Sequence, residues 1–135
     1  RIHFQDGDLL VTPDDQDIFF ISASKATEAC RNHIRVEERV SRFRQEVLRP
    51  LNEWCADNQQ RVSACFVVSP SSAVLLVYVV STSERYDYQL TTDLTALSEH
   101  FDKRAWSVVF SQIPYAAEAE LAGYFDINQS LQVYP

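Results

Sequence analysis

The amino-acid sequence predicts one α+β domain over residues 1–135, and three patterns lead to this prediction. A long amphipathic helical pattern spans residues 24–59, with apolar residues three and four positions apart. Two short apolar runs, over residues 62–69 and 73–81, follow it and are typical of strands. A second helical pattern and a further strand complete the order. We therefore expect a single antiparallel sheet with two main helices, ferredoxin-like (βαββαβ) or closely related.

The N-terminal residues predict a strand, a turn and a second strand ahead of the long helix. Leu9, Leu10 and Val11 form a short apolar run, and residues 12–17 combine a proline with three aspartates, which favours a turn. Residues 18–21 are apolar and aromatic, as expected for a short buried strand. This strand would be the first of the ferredoxin-like order, so the residues before it are an extension.

The long helix is predicted to begin near Ser22 or Ser24, because either hydroxyl can cap the first turn. Pro50 interrupts the pattern, since proline lacks a backbone N–H and its ring clashes with the preceding turn. The apolar spacing nevertheless continues, so we expect a kink, or two consecutive helices that meet at Arg49-Pro50. The apolar positions of the pattern are Ala26, Cys30, Ile34, Val40, Phe43, Val47, Leu51, Trp54 and Cys55.

The two strands after the long helix are predicted to form a hairpin around residues 70–72. Both are almost continuously apolar, over Val62–Val68 and Val74–Val80, which indicates that both faces of the sheet are covered. The two helices would cover one face, and the C-terminal segment or a second copy of the chain would cover the other. This pattern leads us to expect a homodimer.

The remaining elements are predicted from shorter patterns. Residues 86–90 alternate aromatic and polar side chains and are interpreted as an edge strand, so a three-stranded meander is the alternative to the ferredoxin-like order. Thr92 is the expected cap of the second helix, residues 92–104. A strand over residues 106–113 follows. Pro114 opens a short helix that begins the C-terminal extension, and the last residues contain a possible short strand.

The chain is acidic, and its charge is unevenly distributed. The net charge is −7 at pH 7. Residues 25–49 contain seven basic and four acidic residues, whereas the rest of the chain contains five basic and fifteen acidic ones. Such a chain is a poor general binder of nucleic acid, because binding requires phosphates to be neutralised. The longest apolar run, residues 73–80, is far shorter than the roughly 20 residues of a membrane-spanning helix. Neither a nucleic acid nor a membrane is expected as a partner.

The three cysteines indicate the compartment. Cys30, Cys55 and Cys65 are odd in number and distant in sequence, which is not the pattern of a disulfide framework. We interpret them as buried free thiols in a reducing compartment, and this predicts a cytoplasmic location. The chain contains no methionine, which leads us to expect a processed or excised piece of a longer protein.

The sequence lacks the motifs of nucleotide and metal sites. Gly7 and Gly123 are its only glycines, whereas P-loops, dinucleotide fingerprints and nucleophile elbows need clustered glycines. The three histidines are far apart, without the spacing of zinc ligands. The acidic turn at Asp6-Gly7-Asp8 continues into apolar residues where a calcium loop needs oxygen ligands. We therefore expect no cofactor and no metal.

Several ionisable residues lie in the apolar sector of the long helix. At about 100° per residue, Cys30, His33, Glu37 and Arg44 project into this sector. His33 and Glu37 are four residues apart and can touch, and Arg44 lies two turns beyond Glu37. One interpretation is a polar site, with Glu37 as an acid, base or metal ligand and Arg44 as an anion clamp. The other is that these three residues pair with one another or with a partner at a helix edge. Cys30 lacks the third, orienting group that a nucleophile paired with His33 would need.

Arginines recur on the opposite side of the same helix, at spacings of four, four and three residues. They cover about 16 Å of helix at 1.5 Å per residue. One interpretation is a docking strip for an acidic partner, and the other is a solvated face with intrahelical ion pairs. The four residues of this arginine strip are Arg31, Arg35, Arg39 and Arg42.

Four aromatic residues lie around the predicted sheet: Tyr78, Tyr86, Tyr88 and Trp106. They are interpreted either as the lining of a small-molecule pocket or as core and cross-strand pairs.

Taken together, these patterns predict a non-enzymatic protein-interaction or regulatory, ligand-sensing module that is oligomeric. The alternative is a small enzyme that uses His33, Glu37 and Arg44. A third interpretation is an acidic chaperone- or inhibitor-like adaptor.

Overall fold

The computed structural model describes residues 2–5, 8–10, 33–70 and 73–135, with side chains described in residues 38–70 and 73–135. These residues form an α+β fold around one open, mixed sheet. The predicted start of the long helix and the predicted strand at residues 18–21 lie outside them.

The long helix consists of three contiguous helical segments. They are α1 (His33–Phe43), a π-helical segment (Arg44–Leu48) and α2 (Arg49–Asp57). Its buried side chains follow a spacing of four residues, and Leu48 adds to this inner stripe. The fully or almost fully buried residues are Phe43, Val47, Leu48, Leu51 and Cys55.

Pro50 explains the π-helical segment. Proline cannot donate a backbone hydrogen bond, and its ring crowds the carbonyl four residues earlier. The turn before it widens instead, and the Arg49 N–H donates to the Arg44 carbonyl, five residues back. The helix therefore passes Pro50 without ending. The expected kink or break at Arg49-Pro50 takes the form of a wider turn placed just before the proline.

The sheet contains six described strands: β1 (Ile2–Gln5), β2 (Asp8–Leu10), β3 (Val62–Val68), β4 (Leu75–Ser81), β5 (Val108–Ile113) and β6 (Leu131–Tyr134). Their order in the sheet is β2-β1-β6-β3-β4-β5. The predicted hairpin is confirmed, because β3 and β4 pair antiparallel, with Phe66 opposite Tyr78. β6 lies on the other side of β3, also antiparallel, and the N-terminal pair β1–β2 continues the sheet beyond it.

The prediction of a purely antiparallel sheet is wrong. β4 and β5 run parallel over six paired positions, and β1 runs parallel to β6. The helix α3 (Tyr88–Asp102) connects β4 to β5 and returns the chain to the end of the sheet at which β4 began. A helical crossover of this kind permits a parallel pair, whereas a hairpin does not. The ferredoxin-like strand order is not confirmed, since β5 lies directly beside β4.

The start of α3 also corrects the sequence-based prediction of an edge strand at residues 86–90. Asp87 caps this helix: its Oδ1 accepts a hydrogen bond from the Leu90 N–H at 2.9 Å. Thr92 lies inside the helix, where its hydroxyl donates to the Tyr88 carbonyl. The alternation of two tyrosines with polar residues therefore spans the approach to a helix, its cap and its first residues, and the three-stranded meander is also wrong.

The end of α3 directs the chain into β5. The Trp106 N–H donates to the Phe101 carbonyl and the Ala105 N–H to the Asp102 carbonyl, which is the pattern of a Schellman motif. Ala105 adopts the left-handed conformation at φ 64°, a position that glycine usually takes. A side chain is tolerated there although the conformation costs about 1–2 kcal/mol.

The long helix and α3 pack on the same face of the sheet, as expected from their apolar stripes. Leu51 and Cys55 of the long helix belong to one core with Leu90, Leu94 and Phe101 of α3. Asn52 Nδ2 also donates to the Val133 carbonyl of β6 at 2.8 Å, which ties α2 to the sheet. The strand residues of this core include Cys65, Val67, Val77, Val79, Val108, Leu131 and Val133.

The C-terminal segment covers part of the opposite face. It contains the short helix α4 (Glu118–Leu121) and a 3₁₀ turn (Ile127–Gln129). Leu121 and Phe125 pack with Phe66, Val80 and Ile113 in a second core. The two apolar faces of β3 and β4 thus have partners within one chain. The homodimer expected from those faces stays a prediction, and its original reason has an intramolecular explanation.

Within the residues that the structure describes, no helix is both long and apolar enough to cross a membrane.

Candidate functional site

The predicted polar site is only partly described. His33 and Glu37 lie on the backbone of α1, and their side chains are outside the described set. Arg44 lies in the π-helical segment and is half-buried. Its Nε is shielded from solvent and has no hydrogen-bond partner in the described part of the chain. The structure therefore brings no described partner to Arg44, and the site stays a prediction.

The arginine strip is described for two of its four side chains. Arg31 lies outside the described residues, Arg35 is described by its backbone alone, and Arg39 is half-buried. Arg42 is exposed, and its Nε lies 2.9 Å from Glu46 Oε2. Its guanidinium also lies 5.8 Å from the ring centroid of Trp106. Arg42 thus has contacts within its own chain.

The four aromatic residues do not gather in one place. Tyr78 stacks on Phe125, with ring centroids 4.6 Å apart, and belongs to the second core. Trp106 packs against Phe43 on the other face. Tyr86 and Tyr88 form an exposed edge-to-face pair with centroids 4.8 Å apart. The predicted aromatic pocket is not formed by these four residues.

A groove between α3 and β5 is a candidate binding site formed by described residues. We call it the β5 groove, and its volume is about 570 Å³. Helix α3 contributes one apolar residue, three hydroxyls and one carboxylate, and Tyr86 stands at one end. The lining consists of Tyr86, Thr91, Leu94, Thr95, Ser98, Glu99 and residues 108–112.

The helical period explains why hydroxyl groups face this groove. Thr91, Thr95 and Ser98 are four and three residues apart, so they form one stripe along α3. Leu90 and Leu94 lie on the adjacent stripe, which is buried against the sheet. Short hydroxyl side chains leave space between the helix and the strand, whereas longer side chains at these positions would fill it.

Two hydrogen bonds hold α3 and β5 in antiparallel alignment along the groove. Gln112 Nε2 contacts Thr91 Oγ1 at 3.0 Å at one end. At the other end Ser98 Oγ donates to the Val108 carbonyl at 3.4 Å. Phe110 therefore lies midway along the groove, half-buried beneath the helix.

β5 is the outermost strand on its side of the described sheet. The Leu75 N–H donates to the Ser107 carbonyl at 2.9 Å. In a parallel pair alternate residues point their backbone groups at the partner strand. Val109 and Ser111 therefore bond to β4, and Val108, Phe110 and Gln112 direct their N–H and C=O groups toward the open edge. These outward groups lie beside the β5 groove.

This edge lacks the features that usually prevent strand pairing. Natural edge strands carry charges, prolines or bulges that discourage another strand from adding to them. Residues 108–113 read VVFSQI, without a charge or a proline, and their register with β4 is uninterrupted. Val109 is also 49% exposed although it is apolar. The edge is chemically suited to receive another strand.

A polar network defines the Gln112 end of the groove. The Asp87 N–H donates to Gln112 Oε1, and Gln112 Nε2 donates to the Asp87 carbonyl, both at 2.8 Å. Arg61 Nη2 donates to Asp93 Oδ2 at 2.7 Å, and Arg61 Nε lies 3.5 Å from Asp87 Oδ2, too far for a hydrogen bond. Hydrogen bonds from Arg61, and then from Gln89, lower the pKa of Asp93. One cation thus contacts two carboxylates here, and the three groups together keep one negative charge.

The buried thiols have no catalytic setting. Cys55 and Cys65 are free and fully buried in the main core, as expected, and Cys30 lies outside the described residues. Burial, followed by the neighbouring Cys55, raises the pKa of the Cys65 thiol well above its usual value. A neutral, buried thiol is a poor nucleophile. Elsewhere in the described chain, no group of three or more His, Cys, Asp and Glu residues could hold a metal ion.

Comparison with models of known protein families, with curated proteins and with solved structures finds no match for this chain. The site is therefore interpreted from its own geometry.

From the sequence alone, residues 108–112 are predicted as part of a strand and not as a site. The one signal was the absence of charge from VVFSQI in an acidic chain. That signal is equally typical of a central strand. Only the pairing of β5 with β4 alone makes it an edge.

Proposed function

We propose that this protein is a non-enzymatic interaction module that binds an extended polypeptide segment along β5. The segment adds to the sheet as a further strand and places alternate side chains in the β5 groove. The observation that carries this proposal is the uncharged, regular edge of β5 next to an open groove.

The chemistry of the groove supports recognition of a peptide. The outward backbone groups of Phe110 and Gln112 and the Val108 N–H provide affinity that is independent of the bound sequence. The Val108 carbonyl already accepts a hydrogen bond from Ser98. The side chains of Leu94 and Phe110 provide an apolar surface for one anchor residue. The exposed Tyr86–Tyr88 pair adds the residue type that is enriched in the centres of protein interfaces.

The enzyme alternative receives less support. Tyr86 and Glu99 are the titratable side chains of the groove, and no described base or cation accompanies them there. An acidic adaptor of the chaperone or inhibitor type is compatible with the same docking surface, since it would also act by binding a polypeptide.

A peptide with selective backbone methylation tests the proposal. The probe is the acetylated heptapeptide Thr-Val-Thr-Leu-Thr-Gln-Thr, and binding is followed through the NMR shift of the Phe110 amide during titration of ¹⁵N-labelled protein. One variant peptide is N-methylated at Leu, whose N–H faces β5 in the proposed pairing. The matched control is methylated at the following Thr, whose N–H faces away.

We expect the unmodified peptide and the Thr-methylated control to bind equally, and the Leu-methylated peptide to lose binding by tenfold or more. Methylation removes a donor and adds bulk at the strand interface, so it acts on the backbone alone. Equal behaviour of the two methylated peptides would contradict strand addition.

A further inference from the structure

We infer that the segment bound in the β5 groove carries a lysine or arginine two residues after its anchor, where it meets Glu99. This inference rests on the proposed function, because it names the chemistry of the segment that β5 would receive.

Glu99 is the charged residue that lines the groove. Its side chain is exposed, and it makes no ion pair with any described residue. Lys103 and Arg104 follow at the end of α3, but neither lines the groove. A carboxylate beside a groove that also contains apolar surface favours a cationic side chain with a long apolar stem, which both lysine and arginine have.

No charged side chain lines the opposite end of the groove. Asp87 and Asp93 lie near Gln112, but Arg61 contacts both of them. Charge within the groove lining is therefore confined to the end near Val108, where Glu99 lies. Asp87, Asp93 and Arg61 near Gln112 keep one negative charge but lie outside the lining. This asymmetry assigns the cation to one end of the bound segment.

The negative charge of the surrounding residues also favours a basic segment. Residues 83–135 contain eight acidic and three basic residues, a net charge of −5. The whole chain has a net charge of −7. A basic segment would be attracted by this field, whereas an acidic segment would be repelled.

The geometry of paired strands sets the spacing between the anchor residue and the cation of the bound segment. In an antiparallel pair, the residue opposite Phe110 places its side chain on the same face as Phe110, beneath α3. Side chains alternate between faces, so the residue two positions later returns to this face, opposite Val108. Ser98 lies at this point, through its contact with the Val108 carbonyl, and Glu99 follows it in α3. A cation at that position reaches the carboxylate.

Three peptides that differ at one residue test this inference. They are Thr-Val-Thr-Leu-Thr-Lys-Thr and the same sequence with Gln or Glu in place of Lys, each acetylated. Binding is followed through the Phe110 amide, in the wild type, in Glu99→Lys and in Glu120→Lys. Glu120 is exposed on α4 and is outside the groove, so Glu120→Lys is a control with the same change in net charge.

We expect the wild type to bind the Lys peptide about threefold to fivefold more tightly than the Gln peptide, as for an exposed ion pair, and the Glu peptide most weakly. Glu99→Lys should reverse this order, and Glu120→Lys should preserve it. The preference should diminish in about 0.5 M salt, because exposed charges are screened.

The outcomes separate the inference from the proposed function. Equal binding of the three peptides would overturn the lysine or arginine preference and leave strand addition in place. A reversed order in both variants would assign the preference to net charge and overturn the role of Glu99. If no peptide binds and sedimentation shows a dimer whose Phe110 amide is buried, a second copy of the chain occupies the edge, and both proposals are wrong.

Discussion

Arg61 contacts two carboxylates near the start of α3 and thereby joins the residue before β3 to that helix. Its Nη2 bonds to Asp93, and its Nε lies within ion-pair distance of Asp87. Each side chain is about a quarter to a third exposed, so solvent screens these contacts. Their role is to orient α3, and they offset one of the two carboxylate charges beside the Gln112 end of the β5 groove.

Asp93 makes a pH-dependent contribution to stability. Its pKa is lowered in the folded state by Arg61, so the contact stabilises the fold above the unfolded pKa of about 3.9 and is lost as the pH falls through the folded value. We expect Asp93→Asn to be less stable than the wild type at pH 7, with the difference shrinking below about pH 4. Urea unfolding at several pH values measures this.

The control for this prediction is Glu84→Gln, which removes an exposed carboxylate that has no ion pair in the described chain. This variant should follow the wild type at every pH. A difference between Asp93→Asn and the wild type that grows toward low pH would contradict the assigned pKa direction.

At the scale of elements, the start of α3 is decided by competition between two possible caps. Asp87 and Thr92 both have side chains that can accept a helix N–H. Asp87 is the cap because the helix can then begin with Tyr88 and bury Leu90, which is fully inaccessible to solvent. The sequence pattern favoured Thr92, because residues 86–90 were predicted as a strand and the helix was expected to begin after them.

The choice of cap leads to a prediction for α3. Asp87→Ala removes the acceptor of the Leu90 N–H and should lower the free energy of unfolding by about 1 kcal/mol. Thr92→Ala should change it by less than about 0.5 kcal/mol, because its hydroxyl only returns to a helix carbonyl. Chemical denaturation of both variants measures the two values. A larger loss for Thr92→Ala would restore Thr92 as the cap.

The π-helical segment is a second case in which the local sequence was not sufficient to predict the geometry of an element. The sequence identified Pro50 as an interruption, since the missing N–H is a local property. It could not reveal how the helix would accommodate the proline, because a kink, a break and a widened turn satisfy the same local constraint. Burial of Val47, Leu48 and Leu51 against the sheet selects the widened turn.

For the whole molecule, the second face of the sheet depends on the C-terminal segment. Phe125 is 8% exposed, and its ring lies 5.1 Å from that of Phe66 and 4.6 Å from that of Tyr78. Without this cover, the apolar residues of β3 and β4 would face solvent on that side. The cover is therefore a part of the core although it follows the last long helix, α3, in the chain.

Truncation of Phe125 tests this cover. Phe125→Ala removes a buried aromatic ring and should lower the free energy of unfolding by about 3–5 kcal/mol. The neighbouring Tyr124 is 52% exposed, so Tyr124→Ala should change it by no more than about 0.5 kcal/mol. Denaturation at two protein concentrations separates a loss of internal packing from a loss of association. A small effect of Phe125→Ala would indicate that something else covers this face.

The sequence by itself determined the features that arise from neighbouring residues. The helical period of residues 33–57, the hairpin of β3 and β4, and the apolar stripe of α3 all depend on spacing along the chain. The burial of Cys55 and Cys65 followed from their apolar neighbours. These features are local, so an α+β fold could be predicted from them.

Only the tertiary structure decided which strands are neighbours. VVFSQI is equally compatible with a central and an edge strand, and its place beside β4 follows from the crossover of α3 and the packing of Leu94 and Phe101. The parallel pairing, the open edge and the β5 groove all follow from that placement. Strand neighbours are chosen by contacts between residues far apart in the chain, and the period of one strand contains no information about them.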